Sequence, residues 1–169
     1  MNNREKIQKD ALDAVLVNGG SGILCLATGA GKSKIAIDYA KLFYESMKKN
    51  FRCLLVVPTE KLRDENWKDE FEKWKGKVVY RNNIERTCYA SLNKLKHKEY
   101  DLVILDEAHR ITENNVKFFK QNTVHNTLGL TATYPKDEIK QLLMKDLKLD
   151  IVYTLSLDKA IEEGIVAPY

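Results

Sequence analysis

Apolar residues are arranged along this chain in two alternating patterns, one with the period of a helix and one with the continuous run of a buried strand. Spaced apolar positions predict helices over residues 3–17, from about 35 to 48, and over 61–75, 91–95, 116–119 and 136–147. Apolar and β-favouring runs predict strands over 22–26, 53–57, 78–80, 86–89, 102–105, 126–130 and 151–153. Strands that alternate with helices in this way predict an α/β fold, with a mostly parallel central sheet covered on both faces.

The loop after the first predicted strand is rich in glycine. It reads Ala27-Thr28-Gly29-Ala30-Gly31-Lys32-Ser33 and lies between a strand and a helix, which is the context of a phosphate-binding loop. Its glycines allow backbone turns closed to other residues and bring N–H groups near an anion. Lys32 can supply a positive charge for the outer phosphates, and the Ser33 hydroxyl can bind magnesium. The alternative interpretation is a plain glycine-rich turn, because position 26 holds leucine where the pattern GxxxxGKS has its first glycine.

An acidic pair closes the apolar run at 102–105. Asp106 and Glu107 follow this predicted strand directly, at the end where open α/β sheets bind ligands. Asp106 is placed to hold magnesium directly or through water, and Glu107 is placed to orient and deprotonate an attacking water. The alternative is a solvated acidic turn. The presence of Lys32 in a phosphate-binding loop earlier in the chain makes that alternative less favoured. Together the two segments predict a protein that binds a nucleoside triphosphate and carries part of the machinery that splits it.

The order of these segments resembles that of a known family. ATGAGKS at 27–33, LDEAH at 105–109 and GLTAT at 129–133 resemble motifs I, II and III of superfamily two helicases and translocases of the DEAH-box type. Val57-Pro58-Thr59, followed by Leu62 and Trp67, resembles motif Ia, and the resemblance extends over nearly the whole chain. It implies a RecA-like P-loop NTPase domain, a three-layer sandwich that is the first motor domain of a restriction-enzyme or repair helicase.

The resemblance implies a role for each matching position. ATP would be bound by Gln8, which would contact adenine, and by Thr28, Gly29, Ala30, Gly31, Lys32 and Ser33. Ser33 and Asp106 would hold Mg²⁺. The catalytic residues would be Lys32, Asp106, Glu107 and His109, with His109 facing a second motor domain.

The same resemblance implies partners. Thr131 and Thr133 would couple the phosphate site to the nucleic-acid side, and Pro58, Thr59 and Lys61 would lie along the bound strand. DNA is favoured over RNA, because the ATGAGKS and GLTAT sequences are closer to those of the restriction-enzyme and repair branch than to those of the RNA-processing branch. A second RecA-like domain of the same protein would supply an arginine to the γ-phosphate. The chain ends at Tyr169, where that domain would begin. Residues 1–169 are therefore expected to be a single ATP-binding domain, nearly inactive as an ATP hydrolase in isolation.

Three functions stay open at this level. The first is the ATP-binding half of a DNA helicase, and the second is a translocase of a restriction or remodelling system that moves on duplex without separating it. The third is a stand-alone module that binds nucleotide or nucleic acid without turnover. The acidic residue at Glu107 argues against the third, because a protein without turnover has no need of a water-activating carboxylate.

Composition is typical of a globular domain inside the cell. Hydrophobic residues make up 44% of the 169 residues, and the net charge of +4 is compatible with binding a phosphate backbone. No apolar run approaches the roughly 20 residues of a membrane span, and the charged N-terminus lacks a signal core, so we expect a cytoplasmic protein without a membrane partner. The spacing of Cys25, Cys53 and Cys88 fits neither a zinc site nor a disulfide framework, which predicts buried free thiols. The spacing of Trp67, Phe71 and Trp74 predicts that these aromatic residues belong to the core.

Overall fold

The computed structural model describes residues 2–59 and 66–165. Within these ranges, the strands are β1 (Gly22–Leu26), β2 (Cys53–Val57), β3 (Ile84–Cys88), β4 (Glu99–Asp106), β5 (Thr123–Thr131) and β6 (Ile151–Leu155). They form one sheet in the order β3-β2-β4-β5-β1-β6, and every pairing between neighbours is parallel. The predictions for Lys61 and Leu62 lie outside the described residues, as does the end of the chain at Pro168 and Tyr169.

Helices connect the strands. They are α1 (Asn3–Val17), α2 (Lys32–Met47), α3 (Trp67–Lys73), α4 (Lys77–Asn83), α5 (Val116–Gln121), α6 (Glu138–Asp146) and α7 (Leu157–Glu162). Short 3-10 turns cover Lys48–Asn50, Tyr89–Lys94, Ala108–Arg110 and Glu113–Asn115. The first helix begins with a capping box, in which the side chain of Asn2 accepts from the N–H of Glu5 and that of Glu5 accepts from the N–H of Asn2.

The sheet separates two apolar cores. One core is filled from α1, α2, α3, α4 and α7, with members such as Ile35 and Phe71, and the other from α5 and α6, with Phe118 and Met144. Successive residues of β2 point into opposite cores, Leu54 into the second and Leu55 into the first. The predicted three-layer α/β sandwich with a parallel sheet is therefore confirmed.

One predicted strand is wrong. Residues 78–80 belong to helix α4, where Val79 and Tyr80 are 4% and 7% exposed while Val78 is 47% exposed. The Tyr80 ring packs against Phe71 with 4.9 Å between centroids. A run of three β-favouring residues is a weak local preference, and burial of one helical face against α3 overrides it.

The remaining differences concern boundaries and burial. The predicted strand at 102–105 extends in both directions to Glu99–Asp106, and the predicted helix at 91–95 is a 3-10 turn over Tyr89–Lys94. All three cysteines are free thiols in strands; Cys53 and Cys88 are buried, whereas Cys25 is half-buried. In the part of the chain that the structure describes, no helix combines the length and apolarity that crossing a membrane requires.

The strand order brings the two chemical segments together. Strand β5 lies between β1 and β4, with Thr131 opposite Cys25 on one side and Leu130 opposite Asp106 on the other. All strands run in the same direction, so the loop after β1 and the acidic pair after β4 meet at one edge of the sheet, separated by the end of β5.

Candidate functional site

The phosphate loop lies between β1 and α2, and its shape depends on glycine. Gly29 and Gly31 have φ values of +89° and +88°, in the left-handed region that favours glycine. A Cβ on Gly31 would also overlap the amide nitrogen of Gln8. That nitrogen donates to the carbonyl of Ala30 at 3.2 Å. The loop therefore closes against α1, and the predicted adenine-contacting glutamine lies directly beside it.

Lys32 is the first residue of α2. Its ammonium donates to the carbonyl of Leu26 at 2.8 Å, which folds the side chain back over the loop. Burial lowers the pKa of Lys32, and the negative charge of Asp106 opposes that shift. The N-terminus of a 16-residue helix adds unpaired N–H groups and a partial positive charge. This end of the sheet is therefore built to receive an anion.

Asp106 is the last residue of β4, and its side chain and backbone are both held. The indole N–H of Trp67 donates to Asp106 Oδ2 at 3.0 Å, and the hydroxyl of Tyr89 donates to the Asp106 carbonyl at 2.7 Å. Burial raises the pKa of the Asp106 carboxyl, and the Trp67 hydrogen bond lowers it in partial compensation. Burial also raises the pKa of Tyr89, so that its hydroxyl remains a donor.

Glu107 adopts a left-handed backbone conformation with φ of +49°, uncommon for a residue other than glycine. Its carboxylate accepts from the Nε–H of Arg110 at 3.0 Å, and both side chains are about half exposed. An exposed pair of this kind contributes roughly 0–1 kcal/mol. The Glu107 carboxylate can therefore exchange Arg110 for another partner at little cost.

His109 is joined to the end of β5 by a short network. Its Nδ1 lies 2.9 Å from the hydroxyl of Thr131, and that hydroxyl donates to the carbonyl of Thr133 at 2.6 Å. The one hydroxyl proton is thus used, so Nδ1 of His109 carries the proton that Thr131 accepts. Lys140 of α6 donates to the His109 carbonyl at 2.9 Å. Thr131 and Thr133, predicted to couple the phosphate site to nucleic acid, are thus linked to His109, predicted to face a second domain, through the Thr131 hydroxyl.

A cavity of about 610 Å³ opens between α1, the phosphate loop and α3. It brings together several predicted site residues: Gln8, Gly29, Gly31, Lys32, Ser33 and Asp106. Glu107, His109 and the two threonines of the coupling network are not among the residues that line it. The predicted residues named here therefore fall into two groups, one that lines the cavity and one that does not.

Ser33 and Asp106 fit the chemistry of magnesium. Both line the cavity and offer oxygen, the donor that Mg²⁺ prefers. Among residues 2–59 and 66–165, no cluster of three or more His, Cys, Asp or Glu side chains is arranged to hold a metal by itself. A magnesium ion that arrives with phosphates takes only one or two protein oxygens and keeps several waters. The pair therefore fits an ion bound together with a nucleotide.

Two of the three residues predicted to lie along a nucleic acid are found at the same edge of the sheet. Pro58 and Thr59 directly follow β2, which neighbours β4, and Thr59 is exposed. They do not line the cavity. Lys61, the third predicted residue, falls outside the described ranges.

Several side-chain contacts at the site could not be predicted from the spacing of residues in the sequence. That spacing placed Trp67 in the core, and the ring is indeed buried, but its indole N–H also reaches Asp106. Arg110 and Lys140 carry no motif signal, yet they contact Glu107 and the His109 carbonyl. A buried tryptophan at helical spacing looks the same in sequence whether or not its N–H has a functional partner, so only the fold could identify this one.

The sequence of the chain matches a known protein family. A family model described as the res subunit of Type III restriction enzymes matches residues 3–136, well over half of the chain. The chain is similar to a Type I restriction enzyme EcoAI endonuclease subunit of Escherichia coli, with 26% identity over 94% of this chain. It is also similar to the DNA 3'-5' translocase XPB2 of Sulfurisphaera tokodaii, with 29% identity over 82% of this chain. The chain spans 22% and 33% of these two proteins, respectively.

A solved structure agrees on the fold. The chain superposes on the Type ISP restriction-modification enzyme LlaGI, solved as a nuclease-deletion mutant in complex with a DNA substrate mimic. The TM-score is 0.68 at 17% identity, over 94% of this chain and 20% of the other. The match confirms the expected RecA-like arrangement of sheet and helices.

Proposed function

This chain belongs to the family of Type III restriction enzyme res subunits, and from that membership we propose that it is the ATP-binding half of a DNA-dependent motor. One observation carries the proposal. The cavity at the carboxyl edge of the sheet is lined by Gln8, by the phosphate loop with Lys32, and by Asp106. These are the groups that a base, a triphosphate and a magnesium ion require.

The site residues divide the work of hydrolysis. The N–H groups of the phosphate loop and the Lys32 ammonium hold the β- and γ-phosphates. Ser33 and Asp106 hold magnesium, which neutralises charge on the phosphate oxygens when it is bound. Glu107 orients a water in line with the γ-phosphorus and accepts its proton. The water oxygen bonds to the γ-phosphorus while the bond from that phosphorus to the bridging oxygen breaks, which gives ADP and phosphate.

The network of His109, Thr131 and Thr133 couples hydrolysis to movement. His109 is three residues from Asp106 and is hydrogen-bonded to Thr131. Thr131 is the last residue of β5, the strand between β1 and β4. A change at the γ-phosphate that shifts the acidic segment therefore displaces Thr131 and Thr133 as well. This supports a coupling role for these residues toward the side where nucleic acid binds.

The partners in this proposal are DNA and a second RecA-like domain of the same protein. One relative is named as a DNA translocase, and a protein of the same fold was solved with a DNA substrate mimic. The relatives are three to five times longer than the region they share with this chain, which leaves room for a second domain. That domain would supply an arginine to the γ-phosphate, worth ~10³–10⁵ in rate in related systems. The chain without it is expected to hydrolyse ATP very slowly.

A duplex translocase is the second candidate. The similar proteins include restriction enzyme subunits and a protein named as a translocase, and translocation along duplex needs no strand separation. The two candidates share the ATP site and differ in what moves. A strand-displacement assay beside a triplex-displacement assay separates them, because a pure translocase removes a third strand but leaves the duplex intact.

Two substitutions test the ATP site. We expect Lys32→Ala to weaken Mg-ATP binding by this chain at least about tenfold, since it removes a phosphate contact worth ~1.5–3 kcal/mol. Glu107→Gln should leave that affinity within about twofold and abolish DNA-stimulated ATP hydrolysis in the protein that carries both motor domains. Calorimetric titration and a phosphate-release assay measure the two effects. Unchanged hydrolysis by Glu107→Gln would show that the catalytic role assigned to this carboxylate is wrong.

A further inference from the structure

Trp67 is the first residue of α3, and it reaches the magnesium carboxylate proposed above. Its side chain is 4% exposed, and its indole N–H donates to Asp106 Oδ2 at 3.0 Å. We propose that Trp67 is a positioning residue that fixes the Asp106 carboxylate in the orientation in which it receives Mg-ATP. This inference rests on the proposed function, since it assigns the role of Asp106 in metal binding.

The geometry makes the indole a rigid donor. The Trp67 ring packs against Phe71 with 6.1 Å between centroids and a tilt of 48°. Phe71 is fully buried and packs in turn on Tyr80 of α4. A buried indole N–H needs an acceptor, and a charged acceptor gives the stronger hydrogen bond. One carboxylate oxygen is thereby committed, so the carboxylate cannot turn freely about its Cβ–Cγ bond.

A second aromatic residue holds the backbone of the same aspartate. The Tyr89 hydroxyl donates to the Asp106 carbonyl at 2.7 Å, and the Tyr89 carbonyl accepts from the Asn115 side chain at 3.0 Å. Trp67 comes from the segment after β2, and Tyr89 from the segment after β3. Asp106 is therefore anchored at two points, by Trp67 from one face of the sheet and by Tyr89 from the other. Groups that orient a metal ligand in this way change metal affinity by about 10–100-fold when they are removed.

The second tryptophan provides a matched control. Trp74 lies in the same region, but its indole N–H donates to Glu70 at 3.1 Å, four residues earlier in the chain. It makes no hydrogen bond to Asp106 among the described contacts. Substituting either tryptophan by phenylalanine removes the same N–H and keeps an aromatic ring, so the pair compares a donor lost from Asp106 with a donor lost from Glu70. Trp74 is half-buried and also packs under Lys34 and Lys73, so its variant controls for the N–H and not for burial.

The test separates magnesium from nucleotide. The affinity of the 169-residue chain for ATP is measured by calorimetry, once with excess Mg²⁺ and once with EDTA, and the ratio of the two affinities is the readout. Trp67→Phe should lower this ratio about tenfold while leaving the EDTA affinity within about twofold. Trp74→Phe should retain the wild-type ratio, whatever it does to the nucleotide affinity itself. A merely structural role for Trp67 would lower both affinities together and would overturn the proposal.

The outcomes distinguish this inference from the function on which it rests. A wild-type ratio of one would reject magnesium-dependent ATP binding, and with it both proposals. A clear wild-type ratio that Trp67→Phe leaves unchanged would reject the positioning role alone.

A second measurement does not depend on the folding of Trp67→Phe. The chain has two tryptophans, so its nitrogen-15 spectrum has two indole signals, which Trp74→Phe assigns. Asp106→Ala should speed hydrogen exchange of the Trp67 indole about tenfold and leave the Trp74 indole unchanged. Equal exchange of the Trp67 indole in both proteins would contradict the hydrogen bond on which the proposal depends.

Discussion

Gly31 shows how much a single position in the phosphate loop decides. Its φ of +88° strains any other residue, and a side chain there would displace the amide of Gln8 from the Ala30 carbonyl. The GKS pattern predicts the first requirement, because glycine is needed for the turn. The second requirement depends on α1, which packs against the loop from a distant part of the chain.

Gly31→Ala and Gly19→Ala separate these two effects. Gly19 also has positive φ, at +77°, but a Cβ there would meet nothing within 4 Å. Both variants should lose about 1–2 kcal/mol of unfolding free energy in urea, from the backbone alone. Only Gly31→Ala should also reduce the preference for ATP over GTP, because it moves Gln8. An unchanged ATP preference in Gly31→Ala would remove Gln8 from the adenine site.

His109 predicts a dependence of stability on pH. Burial lowers the pKa of His109, and the negative charge of Glu107 partly opposes the shift. Because the folded pKa lies below the ordinary value near 6.5, the unfolded chain takes up the proton first. The His109 contribution to stability is therefore complete above pH 6.5 and is lost as the pH falls below it. Wild type should lose more unfolding free energy than His109→Gln between pH 7.5 and 5.5.

The control for the pH series is His125→Gln. His125 is exposed, in the amino-terminal half of β5, where it contacts Glu99. This variant measures the effect of replacing an exposed histidine, and the slope of His109→Gln between pH 7.5 and 5.5 is compared with it. Equal slopes for wild type and His109→Gln would show that partial burial does not lower the pKa of His109.

Helix α4 is the element where local preference and packing disagree. Two valines and a tyrosine at 78–80 favour a strand, yet Val79, Tyr80 and Asn83 form one buried helical face. Asn83 donates to the carbonyls of Lys48 and Phe51, which fixes the end of the helix beside the start of β2. As a helix, this segment therefore gains buried area and two hydrogen bonds. An isolated strand at this position would have neither.

Neighbouring valines of α4 test this assignment with one chemical change. Val79→Ala removes two buried methyl groups and should cost about 1.5–2.5 kcal/mol of unfolding free energy. Val78→Ala removes the same groups from an exposed position and should cost less than about 0.5 kcal/mol. Urea titration of both variants measures the difference. Similar costs at the two positions would contradict the helical face.

Charge and sheet direction act together over the whole molecule. The net charge is +4, and the proposed DNA-facing residues lie at the carboxyl edge of the sheet, beside the ATP cavity. Parallel strands give the domain two unlike edges, so a charge placed at one edge is far from the other. The location of bound DNA can therefore be tested with two variants that carry the same total charge and differ only in the edge at which the charge is added.

Thr59→Glu and Thr123→Glu add the same charge at opposite edges. Thr59 follows β2 at the carboxyl edge, and Thr123 begins β5 at the amino edge; both are exposed. Thr59→Glu should weaken DNA binding by the chain about tenfold at low salt, and Thr123→Glu by less than about twofold. Fluorescence anisotropy with a short labelled duplex, repeated at several salt concentrations, measures both. Equal weakening by the two variants would place DNA elsewhere.

The linear chain was enough to predict the fold class, most of the elements and six of the residues that line the cavity: Gln8, Gly29, Gly31, Lys32, Ser33 and Asp106. Continuous apolar runs such as 102–105 can be stable only when buried on both faces, which dictates a parallel sheet with helices on both sides. The phosphate loop could be identified because its chemistry requires particular residue types at adjacent positions. Local chemistry of this kind is visible in a linear chain.

Contacts between distant side chains could be found only in the folded molecule. In the fold, residues 78–80 are helical and Gly31 lies against Gln8. His109 is hydrogen-bonded to Thr131, and the indole N–H of Trp67 donates to Asp106. In each case the partners are brought together by strand order and helix packing, and neither residue's type or spacing specifies the other. A buried donor takes the acceptor that the fold places within reach, and that choice is made only when the sheet is assembled.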